Sequence, residues 1–527
     1  MTVGKAQPRP FVSPAAIRIS GLLALVALWE GGAQLAADSF VLAGPGDIAT
    51  HLFAERGLIL RALVVTGWAA FLGFVYGNLA AVVLAVIALA APRTERLLGL
   101  LALLIFCLPL VATGPILRVL FGTGTGPQIT LAALAVYYTT FLALMVGLRA
   151  VPGSWSDLER SFGRGRSAEL IYIRAAASVP YFVAGLQIAA PAAFLGAMFG
   201  EFTGAERGLG VLTIRAIGQL DVTATWAIAT VAALVSMLVY GAVGWLGRRI
   251  VAAPPELLLN PLGTHVVPKW RAALWRAGFA FAVIILLWWG SMEIFALNRF
   301  FAKRPDDIWS FLLTAPDAAS HRQALFGALW ETFVLMVPGY VTGLALGAGL
   351  AVALVLVPAL ASTVLPVAIA LRSVPIVTTA PLLVLALGRG ALGTITIVAI
   401  MIFFPTLVAC LRGLRQTPGQ IVDVFDSYAS GRVRLLLWAR LPAMLPAFFA
   451  SARMAVPAAV LAATTAEWLA TGRGIGSLMA LTASTSNYNM LWSAVVVLSA
   501  LATLAYLAVE QVERQVLRVY ASEQIRR

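Results

Sequence analysis

Apolar runs of about 20 residues, each long enough to cross a bilayer as helix, recur along the whole chain. Short loops between them hold most of the cations. In hydrocarbon a spanning segment must satisfy its own backbone hydrogen bonds, so only helices and closed barrels are open to such a chain. A barrel would show alternating segments of roughly ten residues, and none are visible. Composition agrees: 61% of the 527 residues are hydrophobic and 11% are charged. Soluble domains are nearer half apolar and a quarter charged. The expectation is an all-α integral membrane protein.

The chain is one unit written twice. Adding 266 to a residue number carries Thr66 onto Thr332, Gly77 onto Gly343, Pro109 onto Pro375 and Pro115 onto Pro381. The same shift carries Gly163 onto Ala429, Glu201 onto Glu467, Gly208 onto Gly474 and Trp226 onto Trp492. Nearer the start the shift is 260, taking Trp29 to Trp289 and Asp47 to Asp307. Chance similarity of apolar composition would not hold Pro and Gly in one register, so this is a duplication.

Each half reads as about six spans, giving about 12 transmembrane helices as two parallel six-helix repeats. The first set is expected near 16–37, 59–91, 95–120, 127–150, 178–200 and 222–246. The second is expected near 273–297, 325–356, 360–386, 391–412, 441–465 and 489–511. The domains follow: a first half over 1–246, a Pro-rich cytoplasmic linker over 247–272 and a second half over 273–527. The first run has the basic start of a signal peptide, but its recurrence in the second half favours a retained span.

Arg149, Arg160, Arg164, Arg166 and Arg174 lie in one loop, and Arg412, Arg415, Arg432, Arg434 and Arg440 in its repeat. Placing these inside puts both termini in the cytoplasm, although Arg299, Lys303 and Arg304 then fall outside. This accounts for the net charge of +14 without nucleic acid. Cys107 and Cys410 sit in apolar runs, the three histidines are scattered, and no metal-ligand cluster is readable.

Two prolines in register in both halves, Pro109/Pro115 and Pro375/Pro381, break backbone hydrogen bonding inside a span. Such breaks are tolerated where helices face protein or a wet cavity, so these prolines are expected to shape a central passage. Gly122-Thr-Gly124 and Gly388-Arg-Gly390 follow no strand and read as outer turns. A nucleotide-binding Gly-x-x-x-x-Gly-Lys-Ser/Thr is absent. Glu201 and Glu467 each precede a Gly-rich loop at the outer end of a span. Either they shape an outer gate or they are solvated helix ends.

The loop "SDLERSFGRGRSAELIYI" and its repeat mix charged and apolar residues as amphipathic cytoplasmic helices would. A helix presented twice implies a two-fold partner; the other reading is a helix lying on the lipid surface. These loops resemble the permease subunits of bacterial ABC importers, whose signature is an acidic residue, small residues, a glycine and, further on, Leu-Pro. Asp157 and Gly163 match in the first half, Asp423 and Leu441-Pro442 in the second. Each copy departs once: Ala175-Ala176 stands for Leu-Pro, and Ala429 for the glycine. With "LWE" at residues 28–30, "LPLVATGPILRVLFGTG" and Glu201 before Gly-Leu-Gly, the chain is similar to the nitrate/sulfonate/taurine-type permeases, here with two halves fused.

The resemblance implies the type I ABC importer permease fold in a bacterial inner membrane. It implies an ATPase dimer beneath, a substrate-binding protein outside, and a path for a small nitrate-, sulfonate- or taurine-like anion or related organic molecule. The chain itself would be no enzyme and hold no cofactor, ATP being bound by its partners. Asp157, Phe162, Gly163, Asp423, Tyr428 and Ala429 would couple to the ATPase. A fused iron- or thiamine-type ABC permease is the neighbouring alternative, and a twelve-span secondary transporter the distant one. A carrier tends to hold ionisable groups at mid-membrane; Glu30, Glu293 and Arg118 all lie toward outer ends.

Overall fold

The computed structural model describes residues 26–35, 42–91, 94–122, 124–151, 153–163, 165, 168–251, 270–357, 380, 383–384, 387–388 and 390–520. Among them every regular element is helical. The first half contains α1 (26–35), α2 (Pro45–Ala54), α3 (Arg56–Ala90), α4 (Glu95–Phe106) and α5 (Leu110–Phe121). It continues with α6 (Gly126–Arg149), α7 (Gly153–Ser161), α8 (Glu169–Phe202), α9 (Leu209–Gly218) and α10 (Val222–Ile250). The second half contains α11 (Trp270–Ile294), α12 (Pro305–Trp309), α13 (Ala318–Leu356) and α14 (Ala391–Arg415). It ends with α15 (Gly419–Ser427), α16 (Arg432–Leu469), α17 (Gly474–Ser484) and α18 (Tyr488–Tyr520).

Eight of these helices are long and apolar enough to span a membrane: α3, α6, α8, α10, α13, α14, α16 and α18. The third expected span is a bent pair. Its two helices, α4 and α5, meet at 92°. Pro109 stands at the corner, in extended conformation with ψ 105°, and Pro115 lies inside α5. In the second half, Pro375 and Pro381 lie outside the described residues.

The spanning helices wear their large side chains outward. On α3, Val64, Trp68, Phe71, Val75, Leu79 and Val83 are exposed, whereas Ala69, Gly73, Gly77, Ala81 and Ala85 are buried. Lipid rewards neither face over the other, so tight packing of small residues is what associates the helices. Gly77 is one such contact: a Cβ there would lie 2.6 Å from the Ala133 carbonyl of α6. Its repeat Gly343 meets the Ala399 carbonyl of α14 at 2.7 Å in the same way. The bundles α3–α6–α8 and α13–α14–α16 are thus two copies of one packing scheme.

The halves share a core. Tyr137, Phe141 and Met145 of α6 pack in one cluster with Leu325 and Leu329 of α13, Ile475 of α17, and Leu491, Leu498 and Tyr506 of α18. The broken span is part of this joint, through Cys107, Ala112 and Ile116.

Candidate translocation path and its supports

The C-terminal ends of α8 and α16 carry the same buried clamp. Glu201 and Glu467 are only 1% and 2% exposed, so neither is a solvated helix end. Thr66 Oγ1 donates to Glu201 Oε1 at 2.6 Å, and the Gly210 N–H donates to Oε2 at 2.6 Å. Thr66 Oγ1 also accepts the Leu209 N–H at 2.8 Å. In the second half the Gly476 N–H reaches Glu467 Oε2 at 2.8 Å, and the Ile475 N–H reaches Thr332 Oγ1 at 2.9 Å. In each clamp the carboxylate and the threonine hydroxyl each accept one backbone N–H at the start of the next helix, α9 or α17, which would otherwise be unpaired. Gly208 and Gly474 make this possible. Both have positive φ, and a Cβ on either would lie within 2.3 Å of the glutamate. The second clamp has an extra arm, Glu331, which accepts the Gly474 N–H at 3.0 Å; Val65 stands at its place in the first half.

Beside the clamps a narrow, mostly apolar pocket is lined by Phe199, Phe202 and Thr203 of the first half and Thr465, Trp468 and Leu469 of the second, with Val111 of the broken span. The six are three repeat pairs: Phe199/Thr465, Phe202/Trp468 and Thr203/Leu469. Equivalent residues can meet only around the pseudo-two-fold axis that relates the halves. Pro115 lies in the same helix as Val111, so the broken span reaches this axis.

The polar loops form short helices. The first, α7, ends before Phe162 and Gly163; the second, α15, ends before Tyr428 and Ala429. Phe162 is 74% and Tyr428 81% exposed, and Asp157 and Asp423 are exposed as well. Gly163 has φ +71° and Ala429 φ +49°. The two positions make the same left-handed turn, one with the residue suited to it and one without. A π-helical turn then leads into α8 at Glu169–Ala175 and into α16 at Leu436–Arg440. The π-helical turn is present in both copies, with Leu441-Pro442 after it in one and Ala175-Ala176 at its end in the other, so the Leu-Pro sequence is not required for this geometry.

Glu30 of α1 accepts the Gly46 N–H in the first turn of α2 at 3.1 Å, and Glu293 of α11 pairs with Arg304 just before α12 at 2.6 Å. Each carboxylate anchors the loop before the following short helix. Arg299 bridges Asp306 and Asp307. Burial alone would raise the Asp307 carboxyl, but Arg299, the Arg304 N–H and Lys303 outweigh it and hold it below the usual carboxylate range.

One buried ion pair has no counterpart in the sequence reading. Arg453 Nη1 of α16 lies 2.6 Å from Glu513 Oε2 of α18, with side chains 3% and 4% exposed. The signal was present, since Arg453 is a lone cation within an apolar span.

The sequence matches the family described as binding-protein-dependent transport system inner membrane component, over residues 77–252 and again over 343–518. Both ends of the two matches are offset by 266 residues, the shift that relates the halves. The chain belongs to this family. Relatives include a probable ABC transporter permease of Haemophilus influenzae, 28% identical over 43% of this chain and 93% of its own length. A riboflavin transport system permease of Chloroflexus aurantiacus is 26% identical over 44% of this chain and 87% of its own. A putative aliphatic sulfonates transport permease of Escherichia coli is 25% identical over 36% of this chain and 74% of its own. Most of each relative thus aligns to less than half of this chain, as expected of two ABC permease units fused in one polypeptide. This permease is a multi-pass transport component and not an enzyme; ATP hydrolysis belongs to a separate subunit.

Proposed function

We propose that this ABC importer permease conducts a small solute along the pseudo-two-fold axis, by alternating access driven by an ATPase dimer bound to α7 and α15. The observation that carries the reading is the pocket built from three repeat pairs at the outer ends of α8 and α16. A path shared by two repeats must run where their equivalent residues meet. In this state Phe199, Phe202 and Trp468 close it, and the Glu201 and Glu467 clamps beside them hold the outer ends of both lining helices. We place the Arg-rich loops and both termini in the cytoplasm and the clamps on the side of the binding protein, following the distribution of cations.

The cargo is a nitrate-, sulfonate- or taurine-like anion or a related small organic molecule. The sulfonate relative supports the anion. The apolar, aromatic lining supports an organic solute, in line with the riboflavin relative. In such a system the external binding protein sets the choice. The experiment is uptake into proteoliposomes holding this chain, its ATPase and a candidate binding protein. Loaded binding protein should stimulate both hydrolysis and uptake, and Trp468→Ala should widen the closed path and raise solute leak without ATP. Robust ATP hydrolysis by the chain alone, or a native mass with two copies of the chain per complex, would contradict the reading.

A further inference from the structure

The internal repeat supplies its own control at the seam between the halves. Shifted by 266, Gln187 and Gly247 of the first half become Arg453 and Glu513 of the second. In the first half α8 and α10 meet closely there: a Cβ on Gly247 would lie 2.3 Å from Val183 Cγ1. In the second half the corresponding helices, α16 and α18, hold an ion pair 2.6 Å long instead. The fold therefore does not need charge at this position, because one copy of it does without. Burying two ions is costly even when they pair, and ionisable residues retained inside spans mark function more often than structure.

The pair also lies on a helix that packs against the bent span. Thr503, Tyr506, Glu510 and Glu513 recur at helical spacing on α18. Thr503 lies beside Cys107, the residue that closes α4 just before the corner at Pro109. Tyr506 packs in one buried cluster with Tyr138 of α6 and with Cys107. Glu510 is engaged by Arg514 on its own helix at 2.5 Å. This face of α18 thus runs from the Arg453–Glu513 pair to the corner of the first half's bent span, the span that also reaches the axis pocket.

We propose that Arg453 and Glu513 are positioning residues for transport. They hold α16 and α18 together against the corner at Pro109 in the resting permease, and that corner acts as a hinge that swings fully only when this seam rearranges. Because the pair occurs in one half only, the two halves are restrained unequally, and the first half's bent span is the one held by an ion pair. The inference rests on the transport reading above, which the unmodified complex tests independently by its stimulated hydrolysis and uptake.

The test uses the full chain with its ATPase in lipid nanodiscs, with and without loaded binding protein. R453Q/E513Q removes both charges, leaves neither ion unpaired and places the first half's own residue at 453. ATP hydrolysis without binding protein should rise at least about 5-fold, the lower end of coupling between linked sites, while the stimulated rate holds. R453K, which keeps the charge, should keep the low resting rate. An unchanged ratio of resting to stimulated hydrolysis in R453Q/E513Q would overturn the proposal. Failure of R453Q/E513Q to assemble, with R453K assembling normally, would assign the pair to folding and overturn it equally.

Discussion

Thr66 Oγ1 and Glu201 Oε1 lie 2.6 Å apart although 135 residues separate them, and the hydroxyl simultaneously accepts the N–H of Leu209. One side chain of α3 thus fixes the end of α8 and the start of α9. Thr66→Val should leave a buried carboxylate and a backbone donor without their partner, a loss of about 2–3 kcal/mol. Glu201→Ala should cost at least as much, whereas Glu201→Gln can turn its amide to satisfy both neighbours and should melt close to the parent. Thermal unfolding in nanodiscs checks the order. If Glu201→Gln also transports normally, the clamp's role is shape and not charge.

Gly208→Ala should be worse than either threonine or glutamine substitution. Its φ of +136° is foreign to alanine, and the new Cβ would lie 2.2 Å from the Glu201 carboxyl. Gly474→Ala repeats the clash at Glu467. Expression and membrane insertion of the two variants, measured side by side, should fall together.

The segment that joins α11 to α12 should respond to acid. Because Asp307 is held below the usual carboxylate range, its folded-state value lies under its unfolded one. Its contribution is then complete above about pH 4, the ordinary carboxylate value, and is lost as pH falls through the lowered value. Trp309, exposed at the end of the same short helix, reports on the loop. Its emission should be constant from neutral pH down to that value and shift below it, and Asp307→Asn should show the shifted emission at neutral pH.

Docking of the ATPase should depend on the two exposed aromatic residues that follow α7 and α15. Anchor residues in buried interface pockets each contribute on the order of 2 kcal/mol or more. Phe162→Asp and Tyr428→Asp should therefore reduce co-purification of the ATPase while leaving the chain folded, since both side chains are solvent-exposed in the permease. Full retention of the ATPase by both variants, with transport intact, would remove α7 and α15 from the coupling.

Periodic apolar runs and register-locked Pro and Gly carried the helical class, the duplication and most span limits, because bilayer thickness and backbone chemistry act on sequence directly. The expected 127–150 and 391–412 became Gly126–Arg149 and Ala391–Arg415. The corner at Pro109 was legible for the same reason. The Thr66–Glu201 contact was not, because a pairing across 135 residues leaves no local pattern. The loop reading was too long: what looked like one amphipathic stretch to Ile173 ends its first helix at Ser161, since Gly163 turns the chain left-handed. Arg453 was visible as a cation in an apolar run, yet its importance emerged only against Gln187 in the other copy and Glu513 across the helix seam.

The turn after each short polar helix gives the most economical test of inequality between the halves. Gly163 adopts φ +71° freely, but Ala429 is held at φ +49° with a Cβ that crowds its own backbone. The left-handed conformation costs a non-glycine residue roughly 1–2 kcal/mol. Replacing it by glycine returns part of that gain to the unfolded chain, about 0.4–1 kcal/mol. The strain is the larger effect, so Ala429→Gly should stabilise the second turn slightly, and Gly163→Ala should destabilise the first by a similar amount. Limited proteolysis at the two loops resolves the difference locally: cleavage after α15 should slow in Ala429→Gly, and cleavage after α7 should quicken in Gly163→Ala. If the turn's shape governs docking, ATPase affinity should move in the same directions, rising in the first variant and falling in the second. Opposite movements of proteolysis with unchanged affinity would show that the partner reads the exposed side chains and is indifferent to the strain beneath them.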